Sequence, residues 1–185
     1  MTDAILTREY AEPAVLAARP AGFWIRALAS SVDGIILIPV VALSFYAVFA
    51  TKLLWLCLLT KIPGLLYKPL MEANYGATLG KMACGIKVVD EFGQKPSVAR
   101  AYLRFVPFLI ASLIDFVSTF WLFSQPQFQA ATGFLEIGEI ANAGPLQLTN
   151  TIVGWLILID CVTAAFTNRK RAIHDMFANT YCVYK

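Results

Sequence analysis

The sequence predicts an all-α membrane protein, a four-helix transmembrane bundle with a small cytosolic β-hairpin or sheet. Three observations predict it. The 185 residues are 58% hydrophobic and only 15% charged, with mean hydropathy +0.65, whereas soluble domains run near one half apolar and about one quarter charged. Four apolar runs approach or exceed the roughly 20 residues a helix needs to cross a hydrocarbon core of about 30 Å. The basic residues fall in the segments that would lie on one side of the membrane. A soluble all-helical protein with long buried helices is the competing reading, and four such runs weigh against it. Composition excludes a disordered tail, a collagen-like fibre and a disulfide-rich secreted module. A net charge of +3 is too small to imply nucleic acid.

Residues 1–20 are polar, carry Arg8, Glu9, Glu12 and Arg19, and lack the apolar core and small-residue site of a signal peptide. They are expected to form a cytosolic N-terminal arm ahead of a transmembrane domain over 21–185. The spans are expected at about 23–50, 53–71, 101–123 and 148–167, with a cytosolic loop at 72–100 and an extracytoplasmic loop at 124–147. The second span contains Lys61, Lys68 and the Pro63-Gly64 pair, so a kinked or broken helix is expected there. In the cytosolic loop, Cys84 to Val89 reads CGIKVV, followed by the turn-like Asp90-Glu91-Phe92-Gly93 and then Gln94-Lys95-Pro96, which reads as a short hairpin. The C-terminal Asn179 to Tyr184 is also rich in strand formers, and these pieces are expected to pair into one small sheet.

Orientation follows from the cations. The arm carries Arg8, Arg19 and Arg26, the loop between spans two and three Lys81, Lys87, Lys95, Arg100 and Arg104, and the tail Arg169, Lys170, Arg171 and Lys185. The loop between spans three and four has no Lys or Arg, and the first connection has Lys52 alone. The positive-inside rule then places both termini and the middle loop in the cytoplasm. Phe23, Trp24, Trp55, Tyr67, Trp121 and Phe123 suit interfacial belts.

Charged residues inside spans are the informative feature, since each costs about 2.5–3.5 kcal/mol at a helix centre and needs a partner or a function. Asp33, Lys61, Asp115 and Asp160 are the deep ones. On the rise of 1.5 Å per residue, Asp33 lies about 14 Å from Trp24 and Asp160 about 12 Å from Asn168, which puts both near the midplane. Lys61 reaches a similar level and Asp115 lies further toward the outer side. One reading is a site where Asp33 and Asp160 share a proton or a monovalent cation. The other is a hydrogen-bonded knot of Asp33, Lys61 and Asp160 that fastens the helices. Arg26 and Asp33 share a helix face, but helical side chains lean toward the N-terminus, so each should find a partner elsewhere; for Arg26 that partner is expected to be Asp175. Arg26, Lys81, Arg104, His174 and Asp175 are expected to form a polar cluster on the cytosolic side.

Cys57, Cys84, Cys161 and Cys182 show no metal-ligand spacing and His174 is the sole histidine, so no metal and no cofactor are expected. The GATLGK run from Gly76 to Lys81 is not a phosphate loop, because it has one residue too few between its first glycine and the Gly-Lys pair.

Three segments resemble the RDD family, named for one arginine and two aspartates. They are GFWIRALASSVDGIILI at 22–38, GATLGKMACGIKVVDEFGQKPSVARAYLR at 76–104 and RAIHDMFANTYCV at 171–183, in the family's order. By position the family's arginine is Arg26 and its aspartates are Asp33 and Asp175. Asn179 stands where the family usually has glycine. The resemblance implies a bacterial multi-pass inner-membrane protein, with transport the usual suggestion and sodium–proton exchange attributed to some members. The expected function is a small secondary transporter of monovalent cations or protons, working as a homo-oligomer. The alternative is a non-transporting scaffold or accessory subunit whose basic face (Lys81, Lys87, Arg104, Arg169, Lys170, Arg171) binds anionic lipid or a partner membrane protein. An enzyme is not expected, for want of a nucleophile–base pair, metal cluster or cofactor loop.

Overall fold

A computed structural model of the protein describes residues 18–185; of the N-terminal arm, 1–17 lie outside the described residues. The element order is α1 (Phe23–Ile36), α2 (Ile38–Tyr46) closed by a π-helical turn (Ala47–Thr51), α3 (Leu54–Tyr75), α4 (Leu79–Ala83), β1 (Ile86–Asp90), α5 (Val98–Ser124), α6 (Pro126–Ala130), α7 (Phe134–Asn142), α8 (Gln147–Phe166), α9 (Ile173–Phe177) and β2 (Thr180–Tyr184). The protein is thus mostly helical, with a two-stranded sheet.

Among the described residues two helices are long and apolar enough to cross a membrane, α5 at mean hydropathy 1.9 and α8 at 1.6. Their 27 and 20 residues correspond to about 40 and 30 Å of helix. Both turn large apolar side chains outward, including Ile110, Leu113, Phe116 and Phe120 on α5 and Ile152, Trp155, Leu156 and Ile159 on α8. Apolar surface of that extent is the mark of a membrane protein.

The expected continuous first span breaks at Leu37, where α1 and α2 are bent by 53°; the pair is long enough only if it makes one bent crossing. Pro39 is the reason, since it sits in the first turn of α2, where it has no N–H for the Ile35 carbonyl and its ring crowds that oxygen. The chain restarts with the amides of Val40 and Val41 on the Leu37 carbonyl (3.0 and 3.1 Å). Conversely, α3 is not broken at Pro63-Gly64: it stays helical across that pair and across Pro69. Its lysines and prolines keep it out of the set of apolar spans, so single unbroken helices account for two of the four expected crossings. The loop at 124–147 is also more ordered than expected, holding α6 and α7.

The chain divides into two compact units. Unit one takes residues 18–36, Tyr67–Val106 and Ile159–Lys185. Its sheet pairs β1 with β2 antiparallel in the register Ile86↔Tyr184, Val88↔Cys182, Asp90↔Thr180. The expected hairpin within 84–96 is corrected by this pairing. Asp90 to Gln94 does close a turn, with the Asp90 carboxylate accepting from the amides of Phe92 (2.9 Å) and Gln94 (3.0 Å), but no strand follows it before Pro96. Arg19 to Ala21 lies along the other edge of β2, where Ala21 N–H donates to the Cys182 carbonyl (2.8 Å) and Tyr184 N–H to that of Arg19 (3.0 Å). Ala21, Ala29, Ile86 and Cys182 form the small core beneath. Unit two takes Leu37–Leu66 and Pro107–Leu158. Its core is Phe128, Ala131 and Ile137, packed by Phe49, Leu122 and Phe123. The Lys52 ammonium donates to the carbonyls of Gln129 and Ala131 and fastens α6 to the end of the π-helical turn.

Asn179 enters β2 in the left-handed conformation, φ +48°, with its amide on the Met176 carbonyl (3.2 Å) closing α9. Asparagine tolerates this conformation where β-branched residues do not. Asn179→Gly should leave the thermal midpoint in detergent unchanged or slightly raised, and Asn179→Val should lower stability by about 1–2 kcal/mol; equal midpoints for the two variants would contradict the role of this turn.

Candidate functional site

In unit one, charges from five helices converge on two buried carboxylates. Asp175, on the first turn of α9, is wholly buried, as are Glu72 near the end of α3 (1% exposed) and Arg104 on α5 (3%). The Arg104 guanidinium spans both acids, with Nη1 on Glu72 Oε2 (3.0 Å) and Nη2 on Asp175 Oδ1 (2.6 Å). Lys81 of α4 donates to Glu72 Oε1 (2.5 Å). Arg26 of α1 donates to Asp175 Oδ2 (2.5 Å), and its Nε and Nη2 go to the carbonyls of Ala21 (3.0 Å) and Lys170 (2.7 Å). The Ala172 amide completes the Asp175 shell at 3.2 Å.

His174 links this network to α8. Its Nδ1 lies 2.5 Å from Asp160 Oδ2 and its backbone N–H donates to Asp160 Oδ1 (2.8 Å); its Nε2 lies 3.2 Å from Asp175 Oδ1. Arg26, Lys81, Arg104, His174 and Asp175 therefore belong to one connected cluster. Burial alone would raise the Asp175 carboxyl, but the charge of Arg104, the hydrogen bond from His174 and the charge of Arg26 outweigh it and hold the group well below the usual carboxylate range.

Asp33 has a different environment. Its Oδ1 accepts from the Tyr67 hydroxyl (2.7 Å) and the Gly80 amide (2.7 Å), and its Oδ2 from the Thr78 hydroxyl (2.6 Å). The Tyr67 oxygen in turn accepts from the Leu79 amide (3.1 Å). Glycine at 80 permits this approach, because a Cβ there would overlap the Ala29 carbonyl oxygen and come within 2.8 Å of the Asp33 carboxyl carbon. Thr78 and Gly80 of the GATLGK run thus hold the carboxyl group of Asp33, a side chain of the same chain.

Of the four deep residues, the structure brings together Lys61 and Asp115, which form an ion pair in unit two. Among the described residues no hydrogen bond joins Asp33 to Asp160, and each has partners of its own. The depth argument assumed straight spans and loops outside them. Instead α4 folds back against α1, and 172–175 folds back onto α8, so each aspartate meets a loop before it meets the other. Glu72, Tyr67, Thr78 and Gly80 are the site residues that sequence reasoning missed; the close spacing of Lys68, Glu72 and the Gly-Lys pair was the signal available. Among the described residues no group of three or more His, Cys, Asp or Glu could hold a metal ion.

The RDD family model matches residues 20–179. The chain is 30% identical over 167 residues to the uncharacterized protein YckC of Bacillus subtilis (strain 168), covering 90% of this chain and 85% of YckC. It is 31% identical over 124 residues to the uncharacterized protein YxaI of the same organism, covering 54% of this chain and 82% of YxaI. No solved structure matches.

Removing one partner from a buried charge cluster leaves the others uncompensated, so Asp175→Asn should cost about 3–5 kcal/mol at pH 7. Because the folded pKa is depressed, this stabilisation is complete above the unfolded value of about 4 and is lost as pH falls below it. Thermal unfolding in detergent across pH 2.5–7 should therefore show the gap between native and variant narrowing below about pH 4; a constant gap would contradict an ionised Asp175.

Proposed function

Because this chain belongs to the RDD family, we propose that it is a multi-pass protein of the bacterial inner membrane and a small secondary transporter of monovalent cations or protons. In this reading the bent α1–α2 pair, α3, α5 and α8 make four crossings, both termini are cytoplasmic, and the protein works as a homo-oligomer. The observation that carries the reading is the setting of Asp33. Glu72, Asp115 and Asp160, the acids of α3, α5 and α8, each face a cationic or imidazole side chain. Asp33, the acid of α1, faces three neutral donors and, among the described residues, no basic one.

A carboxylate held this way keeps a vacancy in its charge balance. It can take up a proton or a monovalent cation without first breaking an ion pair, and two hydroxyl oxygens stand beside it as further ligands. The Asp33 cradle replaces the Asp33–Asp160 dyad as the transport site, and the Arg104 cluster serves as its rigid support.

Proton flux in proteoliposomes under an imposed sodium gradient tests this. Asp33→Asn should lower the flux at least tenfold, with the protein still inserted and folded. Unchanged flux in Asp33→Asn would exclude this site.

A further inference from the structure

We propose that unit two holds a binding site for a small primary alkylammonium ion, built around Asp115, in which the ligand takes the place of the Lys61 ammonium on the Asp115 carboxylate. The site is a cavity of about 440 Å³ between the outer part of α5, the start of α8 and the segment joining α7 to α8. That volume falls in the range of small-molecule sites, roughly 300–1,000 Å³, and far exceeds what one bare ion fills.

The lining sets the chemistry. Asp115 is the one ionisable residue of this wall, and although it pairs with Lys61, its side chain remains 59% exposed. Trp121 forms an aromatic face suited to a cation. Its ring is held against Gly144, where a Cβ would come 3.0 Å from the ring carbons. Asn150 donates its amide to the Ser118 hydroxyl (2.9 Å), which leaves the Asn150 carbonyl oxygen to accept an ammonium proton. Leu122 and Leu146 add apolar wall for a short alkyl chain. Such a site fits a group with an ammonium head and an apolar stem, and the lysine side chain that reaches Asp115 is itself that chemistry.

Displacement requires somewhere for Lys61 to go. Lys61 does not line that cavity but a second one, of about 230 Å³, with Val40, Val41, Ser44, Phe45 and Thr60. The ion pair thus stands between two spaces, one walled by its acid and one by its base. The flexible four-carbon stem of lysine can withdraw its ammonium from Asp115 toward the cavity that Lys61 itself lines.

This inference concerns unit two and does not rest on the Asp33 reading; it is tested by equilibrium binding with no gradient, so the two fail separately. The full chain in detergent is titrated calorimetrically with n-butylammonium, n-butanol and sodium at constant ionic strength. The native protein should bind n-butylammonium saturably, at least tenfold more weakly in Asp115→Asn and at least tenfold more tightly in Lys61→Gln, whose internal competitor is gone. Equal affinity in the native protein and Asp115→Asn, weaker binding in Lys61→Gln, n-butanol binding as tightly, or sodium competing at equal concentration would each overturn it. Should either variant fail to fold, the native protein's preference for n-butylammonium over n-butanol and sodium decides alone.

Discussion

The guanidinium of Arg104, clamped between Glu72 and Asp175, is the interaction on which unit one depends. A charge moved from water into a protein interior costs several kcal/mol even after relaxation, and mutual attraction offsets this only when every partner is in place. Here α1 supplies Arg26, α3 Glu72, α4 Lys81, α5 Arg104 and α9 Asp175. None of these elements can shift by an ångström without stranding a buried charge. Such a network contributes less to net stability than to uniqueness, since alternative packings of the same apolar surfaces would leave it incompletely paired.

That rigidity gives the Asp33 cradle its meaning. Lys81, three residues after Thr78 and one after Gly80, is tied to Glu72, so the short helix α4 is fastened to the ion cluster at its middle residue while Thr78, just before it, and Gly80 hold Asp33. The cluster fixes positions, and the cradle holds Asp33 among three neutral donors. Unit two follows the opposite economy. Its core of Phe128, Ala131 and Ile137 is apolar, and its charged pair, Lys61 with Asp115, is flanked by open volume instead of being closed in by hydrogen bonds.

Much of this was legible in the sequence for simple reasons. Long hydrophobic runs marked α5 and α8, β-branched and aromatic residues marked β1 and β2, and the resemblance to the RDD family singled out Arg26, Asp33 and Asp175. The break at Leu37 was legible too, because Pro39 announces it, yet hydropathy alone runs through it. The hairpin expectation failed because a local turn signal at Asp90 to Gly93 says where the chain reverses, and not which strand it then pairs with.

By itself, then, the sequence determined the class of protein, the two principal apolar helices, the strand segments and the inventory of charges, all of which follow from composition and period along the chain. Only the tertiary structure decided which charge meets which. Arg26 and Asp175 are 149 residues apart and Arg104 and Asp175 are 71 apart, and a hydrogen bond is made or lost within about 0.5 Å of its ideal length. Helical rise can estimate a depth along one segment. It cannot foresee that two short segments, Thr78 to Gly80 and Ala172 to Asp175, fold back to claim Asp33 and Asp160 separately. That choice is made by steric fit, here by the missing side chain of Gly80, and steric fit exists only once the chain has closed on itself.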